Sequence, residues 1–266
     1  MQKFKSIFNI EKPIIGMVHI QALPGTPNSH FTPQEIIDKA LKEAIIYKKA
    51  GIDSIMIENM HDIPYLKNGV GHEVSSLMTL VGNEIKKETK LPIGIQILAG
   101  ANKEALAVAK AANLDFIRAE GFVFAHVADE GIIEAQAGNL LRYRKQIDAN
   151  DIAIFTDIKK KHSSHAITND VSLLDTAKAA RFFLSNGVIV TGSHTGSEAS
   201  IDELKELKDN LDFPIFVGSG ITKQNILKYL PTADAFIVGS YFKEDGYWEN
   251  ELSYDKAAEF MEIVKS

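Results

Sequence analysis

The sequence contains no cysteine, and this absence excludes several kinds of protein. None of its 266 residues can form a disulfide, a zinc–thiolate site or a cysteine nucleophile. Apolar runs are short as well, and none approaches the ~18 residues that a membrane-spanning helix requires. The N-terminal residues lack the apolar segment of a secretory signal. We therefore expect a cytoplasmic protein without a membrane span.

Positive charge is not in excess, because 29 lysines and arginines face 35 acidic residues, which gives a net charge of −6. Broad binding of nucleic acid through a basic surface is therefore not expected. Zincin, α/β-hydrolase and P-loop motifs are also missing, which excludes those three classes. The composition, with 45% hydrophobic and 24% charged residues, is typical of a globular protein.

Short apolar runs alternate eight times with longer amphipathic segments, and this alternation predicts the fold. Nearly continuous apolar runs are typical of parallel strands covered on both faces. The predicted strands are Pro13–His19, Asp53–Asn59, Pro92–Leu98, Asp115–Glu120, Ile152–Ile158, Val188–Thr191, Pro214–Gly218 and Asp234–Ser240. The predicted helices are Pro33–Ala50, Glu73–Lys90, Asn102–Ala112, Gly131–Ile147, Asp170–Asn186, Ser200–Asn210, Thr222–Leu230 and Ser253–Lys265.

This order predicts one α/β domain over residues 1–266, a (β/α)8 TIM barrel. The alternative is a doubly wound open sheet, which usually carries a glycine-rich turn after its first strand. Here the first strand ends in His19-Ile20-Gln21, so the barrel is favoured. The long loops follow the strands, at the end where barrels build their sites.

Glycines at the ends of the last two predicted strands indicate a phosphate site. Glycine lets the backbone approach an anion closely, and loops after strands seven and eight hold phosphate in many barrels. The alternative is that these glycines only make tight turns. The predicted phosphate-binding residues are Gly192, Gly218, Ser219, Gly220, Ile221, Gly239 and Ser240. A short helix is expected to begin at Thr222 and to be capped by it.

Polar residues at strand ends predict the catalytic groups. Strand alternation points Glu58, Gln96 and Asp157 into the mouth of the barrel. We expect Asp157 to be the general base or a metal ligand, with Glu58 as its partner and Mg²⁺ as a candidate ion. The alternative is that one carboxylate only pairs with Arg118 or a lysine.

The loop after the fifth predicted strand and the end of the first strand supply further candidates. Lys161 and His162 could stabilise developing negative charge, whereas Lys159 and Lys160 are expected to be solvated. His19 could transfer protons or could be structural. Four residues are predicted to contact substrate: Gln96, Arg118, Glu120 and Thr191.

Several polar residues receive a lesser or no assignment. The loop that carries His126, Asp129 and Glu130 could act as a lid, and His194 lies beside the expected phosphate site. Three aspartates that each begin a strand are expected to cap turns at the opposite end of the barrel: Asp53, Asp115 and Asp234.

Motifs along nearly the whole chain resemble the BtpA family of the ribulose-phosphate-binding barrel group. They are IIGMVHIQALPGTP, IMIENMHDIPY, FIRAE, DEGIIEAQAGNLLRYR, DIKKKH, IVTGSHTG, VGSGIT and IVGSYFKEDG. The resemblance implies a barrel with a phosphate site more firmly than it implies a reaction. The family is named for a cyanobacterial member linked to photosystem I accumulation.

Two functions follow as hypotheses. The first is an isomerase, lyase or hydrolase of a small phosphorylated metabolite, a sugar phosphate or a nucleotide. The second is a non-catalytic assembly or ligand-sensing factor, which should expose a broad apolar patch. By analogy with similar barrels, a homo-oligomer is expected.

Overall fold

A computed structural model describes residues 1–192 and 196–265, and they form a closed barrel of eight parallel strands surrounded by helices. The strands in chain order are β1 (Ile14–His19), β2 (Ser54–Glu58), β3 (Ile93–Gln96), β4 (Phe116–Ala119), β5 (His126–Ala128), β6 (Gly131–Ile133), β7 (Ala153–Asp157), β8 (Ser163–Ser164), β9 (Gly187–Val190), β10 (Ile215–Val217) and β11 (Ala235–Val238). The helices are α1 (Gln2–Phe8), α2 (Pro33–Lys49), α3 (His72–Thr89), α4 (Asn102–Ala111), α5 (Ala137–Gln146), α6 (Leu173–Phe182), α7 (Ile201–Asn210), α8 (Ile226–Tyr229) and α9 (Tyr254–Lys265).

The barrel order is β1-β2-β3-β4-β7-β9-β10-β11, and β11 closes on β1. The predicted (β/α)8 barrel is therefore confirmed, and all eight predicted strands lie in it. The other three strands form a separate antiparallel sheet in the order β6-β5-β8. Among the described residues, no helix is both long and apolar enough to cross a membrane.

Alternate residues of each barrel strand point inward, as expected for a closed sheet. The inner cluster includes Met17, Met56, Phe116, Phe155 and Phe216, and all are buried. The outer faces of the strands pack against the helices in a larger core. A methyl group at Gly94 would lie 2.1 Å from the ring of Phe116, so this glycine makes room for an aromatic ring inside the barrel.

Helix α1 closes the end of the barrel where the strands begin. Phe4 and Phe8 insert into the inner cluster, with ring centroids 5.6 Å and 6.2 Å from that of Phe216. The ammonium group of Lys3 donates a hydrogen bond to the carbonyl of Asn150, just before β7. The aromatic plug therefore fills the barrel at the end where the strands begin.

The three aspartates at strand starts are structural, as predicted, but they bind neighbouring strands rather than capping turns. Each accepts a hydrogen bond from the first backbone amide of a neighbouring barrel strand, at 2.6–3.0 Å. Two of them, Asp115 and Asp234, also form ion pairs with lysines of the surrounding helices. They therefore fasten adjacent strands together at the end away from the candidate site.

The predicted helix boundaries are correct to within a few residues, with three differences. The segment predicted as a helix from Gly131 begins with strand β6, and α5 starts only at Ala137. Thr222 does not cap a helix, because α8 starts at Ile226 and the Thr222 amide donates to the side chain of Asn225. Helix α1 was not predicted. The predicted capping box of α2, by contrast, is present.

The aromatic plug should contribute strongly to stability. We expect Phe8→Ala to lower the free energy of unfolding by about 3–5 kcal/mol, because the ring is 5% exposed and leaves a cavity when removed. Urea unfolding measures this change. Ile10→Ala, at a residue that is 44% exposed, is the control and should have little effect. Similar losses in both variants would contradict the structural role of the plug.

Candidate active site

A cavity of about 510 Å³ opens at the end of the barrel where the strands finish, and its volume suits a small-molecule ligand. Most residues predicted for the site line it. They are His19, Glu58, Gln96, Arg118, Glu120, Lys161, His162, Gly218, Ser219, Gly220, Ile221, Gly239 and Ser240. Asp157, Thr191 and Gly192 do not line this cavity.

Three polar residues stand side by side on adjacent strands at the cavity floor. The register pairs His19 with Glu58 and Glu58 with Gln96 across β1, β2 and β3. Each residue ends its strand, so the three side chains occupy one level of the barrel. Strand alternation had predicted this position for Glu58 and Gln96, and the structure places them there.

The carboxylate of Glu58 is buried yet unpaired. Within residues 1–192 and 196–265 it accepts no hydrogen bond. Burial raises the pKa of Glu58 because it disfavours the charged carboxylate, although Arg118 and Lys161 act in the opposite direction. A cavity-facing carboxyl group that burial shifts toward its neutral form can both donate and accept a proton.

Asp157 lies behind the cavity wall and is fully engaged by Arg118. Its two oxygens accept hydrogen bonds of 2.7 Å each from Nε and Nη2 of the guanidinium group. The Asp157 side chain is 1% exposed. The alternative that Asp157 pairs with Arg118 describes its geometry, and this pairing leaves neither carboxylate oxygen free for the predicted role as general base or metal ligand. Asp157 positions Arg118, which itself lines the cavity.

The same pairing bears on the expected Mg²⁺ site. Both oxygens of Asp157 face a cation, and Glu58 lies in the cavity from which Asp157 is excluded. No group of three or more histidine and acidic residues with metal-site geometry occurs in the described part of the chain. The pair therefore does not fit a divalent ion.

Lys160 and Glu120 form a second buried ion pair. Lys160 Nζ donates to Glu120 Oε2 at 2.9 Å, and the two side chains are only 12% and 7% exposed. Gln96 Nε2 donates to the other carboxylate oxygen at 2.9 Å. Lys160 is therefore not the solvated residue that was expected. Lys159 donates to the carbonyl of Thr168 at 3.0 Å and is not part of the main cavity.

Lys161 lines the cavity without a fixed partner. In the described segments its ammonium group forms no hydrogen bond. Its backbone is held in place, because the Lys161 amide donates to Oγ1 of Thr191 at 3.1 Å. Burial, followed by the nearby charge of Arg118, lowers the pKa of Lys161, whereas Glu58 raises it.

His19 is neutral and oriented by a residue that sequence reasoning missed. Its Nδ1 lies 3.2 Å from the carbonyl oxygen of Trp248, and its ring meets the Trp248 ring edge to face. Burial and the charge of Lys243 lower the pKa of His19 to about 3. Trp248 also packs against His61 and lines the cavity, but no local motif signals this role.

The glycine-rich strand ends offer a cluster of backbone amides, although not all of those predicted. The amide of Gly218 donates to the carbonyl of Val190 at 2.8 Å, and that of Gly192 donates to Ser219 Oγ at 2.9 Å. Both are therefore unavailable to a ligand. Five amides form no hydrogen bond to other described residues: those of Ser219, Gly220, Ile221, Gly239 and Ser240.

The β5–β6 hairpin stands over one side of the cavity. Asp129 and Glu130, at its tip, line the cavity, which fits the predicted position of a lid. His126 instead faces a second, small cavity that it shares with Asp157. His162 lies at the rim of the main cavity, and His194 lies outside the described residues.

Sequence comparison finds relatives over nearly the whole chain. An uncharacterized mitochondrial protein of Caenorhabditis elegans is 48% identical over 266 residues, covering 98% of this chain and 96% of that protein. An uncharacterized protein of Archaeoglobus fulgidus is 40% identical over 91% of this chain and 96% of its own length. The photosystem I biogenesis protein BtpA of Synechocystis is 32% identical over 97% of this chain and 89% of its own length.

Solved structures share the fold at low sequence identity. The geranylgeranylglyceryl phosphate synthase of Thermoplasma acidophilum, in complex with sn-glycerol-1-phosphate, matches with a TM-score of 0.63 and 18% identity, covering 99% of this chain and 97% of that one. Orotidine 5'-phosphate decarboxylase of Pyrococcus horikoshii matches with a TM-score of 0.57 and 14% identity, covering 95% and 99%.

The model of the BtpA family matches residues 10–266, which include every barrel strand and every residue of the candidate site. Together with the curated relatives, this match shows that the chain belongs to the BtpA family.

Proposed function

We propose that the protein is an enzyme that acts on a small phosphorylated metabolite by acid–base chemistry. One observation carries this proposal. The cavity combines an unpaired, buried carboxyl group, that of Glu58, with a cluster of backbone amides that have no hydrogen-bond partner among the described residues. The first is suited to move a proton, and the second is suited to hold an anion.

The phosphate would bind at the ends of β10 and β11. Gly220 and Ile221 on one loop, and Gly239 and Ser240 on the next, line the cavity, and their amides form no hydrogen bond to other described residues. Successive amides in a turn form an anion-binding concavity. The fold neighbours named after phosphorylated compounds support this assignment as an analogy.

The reacting part of the substrate would lie over Glu58, which acts as general acid and base. Arg118, held rigid by Asp157, and Lys161 would stabilise negative charge that develops on the substrate. With Nδ1 donating to Trp248, His19 would present a neutral Nε2 as a second proton acceptor. Isomerisation, aldol-type cleavage and hydrolysis all use these groups.

We propose a sugar phosphate or a nucleotide as the substrate, since the cavity admits either. The cytoplasmic location and the homo-oligomeric state stay predictions. The name of the Caenorhabditis elegans relative gives its location as mitochondrial.

A thermal-shift screen with phosphorylated sugars and nucleotides tests the proposal. A ligand at about 100 times its Kd stabilises the folded state by about 2.7 kcal/mol, which raises the melting temperature. The chain has a single tryptophan, and it lines the cavity, so its fluorescence gives an independent titration. Compounds that bind are then tested for turnover, and lack of any phosphate-dependent binding would refute the proposal.

Inorganic phosphate should bind through the amides beside Gly239. We expect Gly239→Ala to weaken this binding about tenfold, or ~1.4 kcal/mol. The added methyl group would stand at the cavity wall, 3.4 Å from the His19 ring, beside the anion. Tryptophan fluorescence measures the affinity. Gly138→Ala, the same change in helix α5, is the control and should bind phosphate like the parent protein. Equal phosphate affinities in the parent protein and both variants would show that Gly239 is not part of the phosphate site.

Glu58→Gln should increase stability in a pH-dependent manner. The pKa of Glu58 is raised, so the folded protein binds the proton more tightly than the unfolded chain does. The free energy of unfolding therefore falls as the pH rises from the ordinary glutamate pKa through the raised value, because a buried charge forms. Glutamine carries no such charge, so the gain from the substitution should be larger at about pH 8 than at about pH 5.

Urea unfolding at the two pH values measures this difference. Glu88→Gln, on an exposed part of α3, is the matched control and should change the free energy of unfolding little. A gain for Glu58→Gln that is the same at both pH values would contradict the raised pKa.

A second candidate function, partner binding without catalysis, is favoured by one surface. Phe182, Phe183 and Leu184 are 82%, 46% and 66% exposed and lie together at the end of α6, near the start of β9. This apolar surface is at the opposite end of the barrel from the cavity. It is the type of surface that a non-catalytic assembly factor would use, and the Synechocystis relative is named for photosystem I biogenesis.

Complementation of cells that lack the gene separates the two functions. If the protein is an enzyme, Glu58→Gln should abolish complementation, whereas Phe182→Ser should retain it. The reverse pattern would show that the apolar surface, and not the cavity, carries the biological role.

A further inference from the structure

We propose that Lys161 is a nucleophile that forms a Schiff base with a phosphorylated aldehyde or ketone. This inference rests on the proposed function and makes it more specific, because it names both the substrate class and a covalent step. Other phosphorylated compounds, such as nucleotides without a reactive carbonyl group, would not form this intermediate.

Three lysine and arginine side chains of the described residues line the cavity, and two of them are held in ion pairs. Arg118 is bound in a bidentate manner by Asp157, and Lys160 is bound by Glu120. Lys161 alone among the three has no hydrogen-bond partner within the described ranges. An amine without a partner can approach a bound substrate, whereas the two paired cations can only contribute charge.

The position of Lys161 is nevertheless fixed at its base. Its amide is bonded to Thr191 at the end of β9, and the following Ser163 pairs with Ala128 of the hairpin. The backbone is therefore held on both sides of the side chain. This arrangement fixes the base of the lysine, whereas its amine has no hydrogen-bond partner in the part of the chain that the structure describes.

The surroundings also favour the neutral amine that a nucleophile requires. Partial burial and the nearby guanidinium group of Arg118 both disfavour the ammonium form, and they lower the pKa of Lys161. Because Asp157 fixes Arg118, this positive neighbour stays in place. Glu58 lies close enough to influence the charge of Lys161 and can exchange protons with the reacting atoms.

The covalent step balances with groups already in the cavity. The neutral amine of Lys161 attacks the carbonyl carbon, a C–N bond forms, and the carbonyl π electrons move to oxygen. A proton moves from the attacking nitrogen to that oxygen and yields a carbinolamine. Protonated Glu58 then donates a proton to the hydroxyl group, which leaves as water. The product is a protonated Schiff base beside the carboxylate of Glu58.

Reductive trapping of the full chain tests this proposal. The protein is incubated with dihydroxyacetone phosphate or glyceraldehyde 3-phosphate and sodium cyanoborohydride, which supplies hydride to any imine. Intact-mass and peptide analysis should show one adduct per chain on Lys161. The adduct on Lys161 should form at least tenfold faster than adducts on Lys159 or Lys223 in the same sample. It should form more slowly with dihydroxyacetone or glyceraldehyde, which lack the phosphate group.

Two variants serve as a matched pair. Lys161→Arg retains the positive charge but cannot form an imine, and it should lose the rapid adduct. Lys159→Arg makes the same change at a lysine outside the main cavity and should leave trapping unchanged. The comparison among lysines of the parent protein does not depend on the folding of either variant.

The outcomes separate this inference from the proposed function. Slow labelling spread evenly over surface lysines, in a protein whose tryptophan fluorescence shows binding of the phosphorylated probe, would overturn the role of Lys161 and leave the phosphate site standing. Absence of binding by every phosphorylated compound in the screen would overturn both. Rapid labelling that survives in Lys161→Arg would also refute the assignment.

Discussion

Closure of eight parallel strands in a fixed register is the constraint on which the site depends. Successive side chains of a strand point to opposite faces of the sheet. In a closed barrel the register therefore determines which residues point inward. At one end these are Phe155 and Phe216, which pack against the plug of α1. At the other end they are His19, Glu58 and Gln96, aligned on neighbouring strands. The same alternation thus produces a sealed core and an open polar cavity.

The charges at the cavity are divided between paired and unpaired groups. A buried charge is costly without a partner, and two ion pairs, Arg118–Asp157 and Lys160–Glu120, meet this requirement. Glu58 and Lys161 have no such fixed partner among residues 1–192 and 196–265, and the pKa shift of each favours its neutral form. The paired groups supply a rigid electrostatic frame. The unpaired groups are the ones that can change protonation state during a reaction.

The fold was predictable from sequence because its signal is local and repeated. Eight apolar runs separated by amphipathic segments specify a barrel, and turn residues such as Asp115 mark where strands begin. The position of Glu58 in the mouth of the barrel followed from the alternation of side-chain direction along its strand. The hairpin β5–β6 was missed because its strands have three residues each and show no clear period.

Pairing within the site was less predictable, because it depends on which side chains meet across strands that are distant in the chain. Asp157 and Arg118 are 39 residues apart, and sequence alone could not decide whether that carboxylate was free. Lys160 was expected to be solvated, yet it forms an ion pair with Glu120, a residue 40 positions earlier in the chain. Trp248 reaches the cavity from a loop after the last strand, where no pattern marks it.

The small antiparallel sheet over the cavity has a mechanical consequence. Strand β5 of the hairpin pairs on one side with β6 and on the other with β8, which follows Lys161 by only two residues. Any outward swing of the hairpin that admits a ligand must therefore pull on the backbone that carries this lysine. The hairpin above the cavity and the backbone beside Lys161 thus belong to one hydrogen-bonded sheet, and a displacement of either is transmitted to the other.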